Sequence, residues 1–450
     1  MWSLPVLIRP TNCREFQFSL AYRVNGIKKR FRSSNFIDLV VSQLPTSSMA
    51  VEGRLKLSLI RTLEPVRRAT YLLGIMPDWC RSVPKQRVAV FANGFGFCYH
   101  VFFVALSTTY FLFQFYMAVN ESSIHAAIPV LVWSFCCIIM LYNQIYFYYR
   151  RKELIIFFRK WNSTDQQLSP YVNRIHEESE EKWKTRLNLM LIFFIAGFIP
   201  VVIILPYISE QRISYIYYTE LRQIFTDPVL LIAQCISVVN VLTVQFMGEM
   251  VPALIYFHAA VIIRGLDEKM KRGFRVCVGY GSKKGQLGKP RFFERHFLFI
   301  LTHYEEVGQL VIGTNRLFGF PLFTCHAAIL SWLVLQTYSL LKNFSNISWI
   351  ELFVIFTNLS VAALRISVTV LISNNFQTAS AGLKSTTNKL LSHHMTVLRK
   401  HEYSFVKNVL LHMSANSVLV SPSNLYIVNR CLLLKMFGIV VSYNLILLQS

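Results

Sequence analysis

The sequence predicts an all-α polytopic membrane protein with seven transmembrane helices, its N-terminus cytosolic and its C-terminus extracellular. Three observations carry this reading. The 450 residues are 54% hydrophobic and 14% aromatic, with a mean hydropathy of +0.41, which is too apolar for an ordinary soluble domain. Seven apolar runs, at about 97–119, 126–149, 187–208, 228–263, 317–341, 350–372 and 431–449, each reach or nearly reach the length that crosses a bilayer, which is roughly 20 residues for about 30 Å of hydrocarbon. Lys and Arg are concentrated on alternate connections between these runs.

Residues 1–95 form a mixed, basic arm with Lys28-Lys29-Arg30-Phe31-Arg32 and Arg67-Arg68. No early apolar run marks a cleaved leader, so the first span is expected to do the targeting. Within the arm, Glu64 to Pro77 reads as a short amphipathic helix closed by Gly74 and Pro77, lying on the membrane surface or packed on the cytosolic base. Residues 96–263 hold transmembrane helices 1–4. The fourth run has about 36 residues, or about 54 Å of helix, so its C-terminal third is expected to project into the cytosol. Asp227-Pro228 makes a natural N-cap and first-turn pair at its outer end.

Residues 264–316 form a cytosolic connection. Its Gly279–Gly288 patch lacks Gly-Lys-Ser/Thr and a preceding strand, so it reads as a flexible basic linker rather than a phosphate loop. A helix is expected from Phe292 to Leu310. Residues 317–372 hold helices 5 and 6. Residues 373–430 form a cytosolic helical segment, with helix expected over 380–425 on the strength of Leu383, Leu390, Leu391, Leu398 and Phe405. Residues 431–450 are the seventh helix.

Orientation follows from the basic residues. Arg150-Arg151-Lys152, Lys269, Lys271-Arg272 and Arg399-Lys400 sit on one set of connections, while the other set carries only Arg212, Arg222 and Lys342. The glycosylation acceptors Asn120, Asn343 and Asn346 fall on the second, outer set. Asn162 faces the cytosol and Asn358 lies inside a span, so neither is expected to carry a glycan. The net charge of +23 is accounted for by cytosolic loops and not by a nucleic-acid partner.

Chemistry-bearing motifs are absent from the sequence. None of the nine cysteines falls in an outer segment, so no disulfide framework is expected, and no Cys/His spacing suits a metal. His393-His394 has no acid beside it, and no nucleophile elbow, HExxH or dinucleotide fingerprint is present in context. Neither enzymatic activity nor a cofactor is expected.

Ionisable groups inside spans are functional candidates because lipid makes them costly. His100 and His258 are read as interfacial. Arg365 either snorkels to the inner face or pairs with Glu249, and Lys435 snorkels. The outer halves of the first six spans are polar but uncharged and mixed with aromatics, which suits a small neutral ligand. Trp133, Gln234, Trp332, Gln336 and Asn358, with His326 in mid-span, are the pocket candidates; each serves equally well as interhelical cement.

In the last run, Ser442 and Gln449 lie seven residues apart on one stripe with Leu445 and Ile446 between them, a polar-edged face that suggests water on that side. The same frame resembles the end of the insect gustatory receptors, within the insect chemoreceptor superfamily, which close on Thr-Tyr, five mostly hydrophobic residues and Gln-Phe. Here it reads Ser442-Tyr443, Asn444 to Leu448, then Gln449-Ser450; Tyr443 and Gln449 match, while Ser442, Asn444 and Ser450 depart. The layout of about 370 residues is also similar.

This resemblance implies a homo- or heterotetrameric, ligand-gated, non-selective cation channel that senses small-molecule tastants, bitter compounds among them, in the plasma membrane of sensory neurons. It further implies that 431–450 lines the pore through Ser442, Leu445, Ile446 and Gln449, and that 373–430 belongs to a cytosolic anchor. Tyr443, off the stripe, is expected to pack against neighbouring spans. Two alternatives share the seven spans: a G-protein-coupled type of chemoreceptor, which the orientation opposes, and a secondary transporter, which the lack of two similar halves opposes.

Overall fold

A helix apolar on every side belongs either in lipid or in the middle of a bundle. The helix from Asp227 to Lys284 takes the second place: Met247, Val251, Ile255, Tyr256, Ala259 and Ile263 lie on different faces and all are buried. The structure, a computed structural model, describes residues 86–120, 124–165, 227–284, 290–343, 349–393, 400–415, 418–422 and 425–449, with Leu63, Gln167 and Leu398. The chain divides into two units, Met1–Leu55 and Lys56–Ser450, and the described residues lie in the second. Among them the elements are α1 (Gln86–Asn120), α2 (Ile124–Tyr149), α3 (Asp227–Lys284), α4 (Pro290–Asn343), α5 (Trp349–His393), α6 (Lys400–Ala415) and α7 (Arg430–Gln449), with no strand.

α3, α4, α5 and α7 are each long and apolar enough to cross a membrane, and α1 and α2 cover the runs at 97–119 and 126–149. The run at 187–208 and the short helix expected over Glu64–Pro77 lie outside the described residues.

The long helices overshoot the expectation. α3 has 58 residues, α4 54 and α5 45, or about 87, 81 and 68 Å at about 1.5 Å per residue, more than twice the roughly 30 Å of hydrocarbon. The expected cytosolic helix Phe292–Leu310 and the fifth span are one helix: Gly313, the weak point of 311–316, lies close against the Phe157 ring, and Thr314 is accommodated by donating its hydroxyl to the Leu310 carbonyl at 2.9 Å. Gly279–Lys284, expected as linker, is the end of α3. The helix expected over 380–425 is instead interrupted: α5 ends at His393, α6 occupies Lys400–Ala415, and 418–422 and 425–429 are not α-helical. Pro422 lacks an N–H and disfavours α geometry at Ser421, so helix is not carried through that point.

Beyond the apolar spans, the projecting parts of α3, α4 and α5 pack with α6 as a base. Phe274 of α3 meets Phe297 of α4 edge-on at 6.4 Å, and Leu383, Val406, Val409 and Met413 fill the interior. Glu294–His401 (3.2 Å) and Glu305–His412 (3.1 Å) pair α4 with α6. The two glutamates and the two histidines are each 11 residues apart, about three turns, so these helices run parallel and in register.

α2 continues through Arg150 into helical residues 151–165, with Arg150 N–H on the Tyr146 carbonyl (2.9 Å) and Leu154 N–H on that of Arg150 (3.0 Å). Phe157 and Phe158 of this extension close on Phe318 of α4. The two histidines read as interfacial are buried between helices. His258 is buried, with Nε2 2.6 Å from Asp165 Oδ1, and His100 is buried and stacked on Tyr148 at 3.9 Å. Each found a partner from α2 or its extension, which a reading of its own helix could not see.

α3 and α4 approach closely at Gly248. A Cβ there would sit 2.8 Å from Cys325 Sγ, closer than packed atoms tolerate, and 3.4 Å from the Pro321 carbonyl oxygen. Gly248→Ala is therefore expected to destabilise the detergent-solubilised protein by about 1–3 kcal/mol in thermal melts. Adding Cys325→Ala removes the 2.8 Å contact and should recover much of the loss; no recovery would show that the crossing is not limited there.

Candidate functional site

A seam of buried polar side chains runs through the apolar bundle, and each link joins different helices. At one end Asn240 of α3 donates to Ser107 Oγ of α1 (2.8 Å) and to Gln144 Oε1 of α2 (3.1 Å). Its neighbour Asn143 donates to Thr324 Oγ1 of α4 (3.1 Å), and Cys325 Sγ lies at 3.6 Å. Such groups find water only at high cost once inside a membrane bundle, so they hold helices together by pairing.

The charged centre follows. Arg365 of α5 reaches Glu249 of α3 through Nη2, 2.8 Å from both carboxylate oxygens, and through Nε at 3.2 Å from Oε2. Its Nη1 donates to Gln245 Oε1 at 3.1 Å. The Glu249 side chain is 1% exposed and that of Arg365 12%. The sequence left open whether Arg365 snorkels or pairs, and the geometry is a pair. Planar, forked contact is what a guanidinium offers a carboxylate, and Gln245 takes up a further donor that burial would otherwise orphan.

Two turns of α3 further on, Tyr256 donates its hydroxyl to Asn315 Oδ1 of α4 (2.8 Å), and Asn315 Nδ2 donates to the Leu419 carbonyl (2.8 Å). Residue 419 belongs to the non-helical strap that leads into α7. The strap is closed by Val428 N–H on the Val420 carbonyl at 2.9 Å. It is tied to the bundle twice more: Gln377 Nε2 of α5 donates to the Val428 carbonyl (3.3 Å), and His326 Nδ1 of α4 meets the Tyr426 hydroxyl at 2.6 Å. Burial raises the Tyr426 phenol well above its ordinary range, with Cys325 and Glu249 adding to the shift, so it remains a neutral hydrogen-bonding group.

α7 packs on α4 and α5 along a single stripe. Leu432, Leu433 and Met436 join the core, Val440 and Leu447 are half-buried, and Asn444 is the buried residue of the helix, donating to the Val440 carbonyl at 2.8 Å. Ser442, Leu445, Ile446 and Gln449 are all exposed, on the order of 120–180° around the helix from that stripe. Lys435 is exposed as well. Within the single chain Tyr443 is 57% exposed, and Asn444, a departure from the resembling motif, is the buried residue of the helix.

Of the pocket candidates, His326 is buried and engaged by Tyr426, and Trp332 and Gln336 are half-buried on α4. The side chains of Trp133, Gln234 and Asn358 lie outside the described residues, as do those of Asn120 and Asn343, the final residues of α1 and α4, and the whole of Asn346. Sequence reasoning missed Gln245, Asn315 and Tyr426. Nothing in their local sequence marks them, since each matters only through a partner 50 or more residues away. Among the described residues no cluster of His, Cys, Asp or Glu is arranged to hold a metal.

Long membrane helices joined by internal polar contacts, a helical base and a last helix with one packed face fit a multi-pass membrane protein. Residues 63–450 match the family model described as 7tm chemosensory receptor, so the chain belongs to that family, within the insect chemoreceptor superfamily. In fold it is similar to the insect olfactory receptor OR5 from Machilis hrabei, solved alone (13% identity) and in complex with eugenol (11% identity). Both have a TM-score of 0.57, and each alignment covers 87% of this chain and 99% of that one. No protein of curated description matches the chain.

Removing one member of the Glu249–Arg365 pair strands the other in the bundle. Arg365→Met alone is expected to cost about 3–5 kcal/mol, read as lost folded receptor on size-exclusion chromatography. Glu249→Leu combined with Arg365→Met should restore most of it. A double variant as poor as the single would show that the pair acts through more than charge compensation.

Proposed function

We propose that this chain is a subunit of a ligand-gated, non-selective cation channel of the gustatory type. It assembles as a homo- or heterotetramer of related subunits in the plasma membrane of sensory neurons, with its N-terminus in the cytosol and its C-terminus outside. The observation that carries this reading is the one-sided packing of α7. A spanning helix with Ser442 and Gln449 on its exposed face needs something other than lipid against them, and water in a shared pore meets that need. Leu445 and Ile446, on the same side, would close such a pore by dewetting when drawn together.

The ligand proposed is a small neutral tastant, apolar bitter compounds foremost. Support comes from the uncharged polar and aromatic character of Trp133, Gln234, Trp332, Gln336 and Asn358, and from the similar fold having been solved with eugenol bound. A ligand that favours the open arrangement shifts the population toward it, so no enzymatic step and no cofactor is needed. Glycans are proposed at Asn120, Asn343 and Asn346.

Cells expressing the chain should conduct cations in excised patches without nucleotides or G proteins, and a tag after Ser450 should be reachable from outside on intact cells. Gln449→Glu is expected to raise permeability to divalent cations and Gln449→Lys to depress the current, at similar surface amounts. Currents that vanish when nucleotide exchange is blocked, or unaltered permeability in both variants, would contradict the assignment.

A further inference from the structure

We infer that the buried hydrogen bond between His326 and Tyr426 is the clasp that couples α7 to the rest of the bundle, making Tyr426 and His326 positioning residues for the gate. The inference rests on the channel reading for its gating consequence, and on geometry alone for the clasp.

α7 has little holding of its own, because a single stripe of side chains packs on α4 and α5 while most of its surface is exposed. What fixes its beginning is the strap. Residues 425–429 run directly into Arg430, and Leu432 N–H, in the first turn of α7, bonds back to the Asn429 carbonyl at 3.0 Å. Among the described residues three side chains hold the strap: Asn315 at Leu419, Gln377 at Val428, and His326 at Tyr426.

Two of these three ties differ in kind from the third. Asn315 and Gln377 hold main-chain carbonyls, groups that every residue of the strap carries whatever its side chain. The His326–Tyr426 bond joins two specific side chains at 2.6 Å, with His326 2% exposed and Phe323 packed against the Tyr426 ring at 6.2 Å. It admits one register only.

Its position also suits coupling. His326 lies one residue beyond Cys325, which abuts Gly248 at the tight α3–α4 crossing, one residue before Glu249 of the buried ion pair. A shift of α3 or α5 that moves Glu249 or Arg365 therefore reaches α4 at the very turn that holds the strap. His326 Nε2 is buried without a hydrogen-bond partner among the described residues, so the ring has a single polar tie, and that tie is to Tyr426. The sequence placed His326 among ligand-pocket candidates; the bond assigns it a mechanical role instead.

Tyr426→Phe deletes one oxygen and keeps the ring, so it tests the clasp with the least disturbance. Hydrogen exchange on the full-length receptor in detergent should show the Val428 and Leu432 amides exchanging about fivefold faster, as expected for one lost hydrogen bond. Unchanged exchange would overturn the clasp. In ligand-free patches, with no added tastant, Tyr426→Phe and His326→Leu should shift the ratio of open to closed channels in the same direction by about fivefold, and the double variant no further. His326→Asn, whose amide reaches the place of Nδ1, should stay near the unsubstituted receptor.

A double shift equal to the product of the singles, or no shift from either, would overturn the coupling. If exchange quickens in Tyr426→Phe but the unsubstituted chain carries no current, the channel reading fails and the gating role falls with it, while the clasp stands.

Discussion

A carboxylate and a guanidinium inside an apolar bundle cannot remain apart, and much of this structure follows from the meeting of Glu249 and Arg365. Either charge alone would cost several kcal/mol to hold away from water. Together, with Gln245 on the remaining guanidinium edge, they fix α5 against α3 in depth and in rotation. Apolar contacts between helices tolerate small slips of register, but a forked ion pair does not. Once α3 and α5 are set, Gly248 admits α4 to the same level, and α4 brings His326 and Asn315 to the strap.

The molecule is thereby divided into a part that is over-determined and a part that is lightly held. α3 is buried over most of its described length, and the base beyond the spans is filled by side chains from α3, α4, α5 and α6. α1 and α2 present Phe97, Phe102, Tyr142 and Ile145 outward, as helices bathed in lipid do. α7 combines an apolar exposed surface with the polar side chains of Ser442 and Gln449 on it. Bistability belongs in such a place, where a small change in the contacts at one end is not resisted by dense packing along the helix.

Much of this was legible in the sequence, and the reasons for success and failure differ by residue. Apolar run length shows which segments are membrane helices, and the two candidate partners Glu249 and Arg365 stood out because charge in an apolar run is rare. The extent of α3, α4 and α5 was underread because their polar extensions are helical without being apolar, and only packing against one another makes them continuous. The motif marks Tyr443, whereas the packed stripe of α7 follows the surface of α4 and α5 and passes through Asn444, which only the assembled helices reveal. His258 and Asp165 lie 93 residues apart in sequence, and their pairing was invisible before the helices were assembled.

The account turns on which face of α7 meets water. In a Cys431→Ser background, thiol-reactive charged reagents should be applied from outside to Ser442→Cys, Gln449→Cys and Asn444→Cys, with current recorded throughout. Ser442→Cys and Gln449→Cys should be modified and the current blocked, while Asn444→Cys, on the stripe packed against α4 and α5, should be spared. Modification at Asn444→Cys with protection at Ser442→Cys and Gln449→Cys would place the water on the other side of the helix and contradict the account.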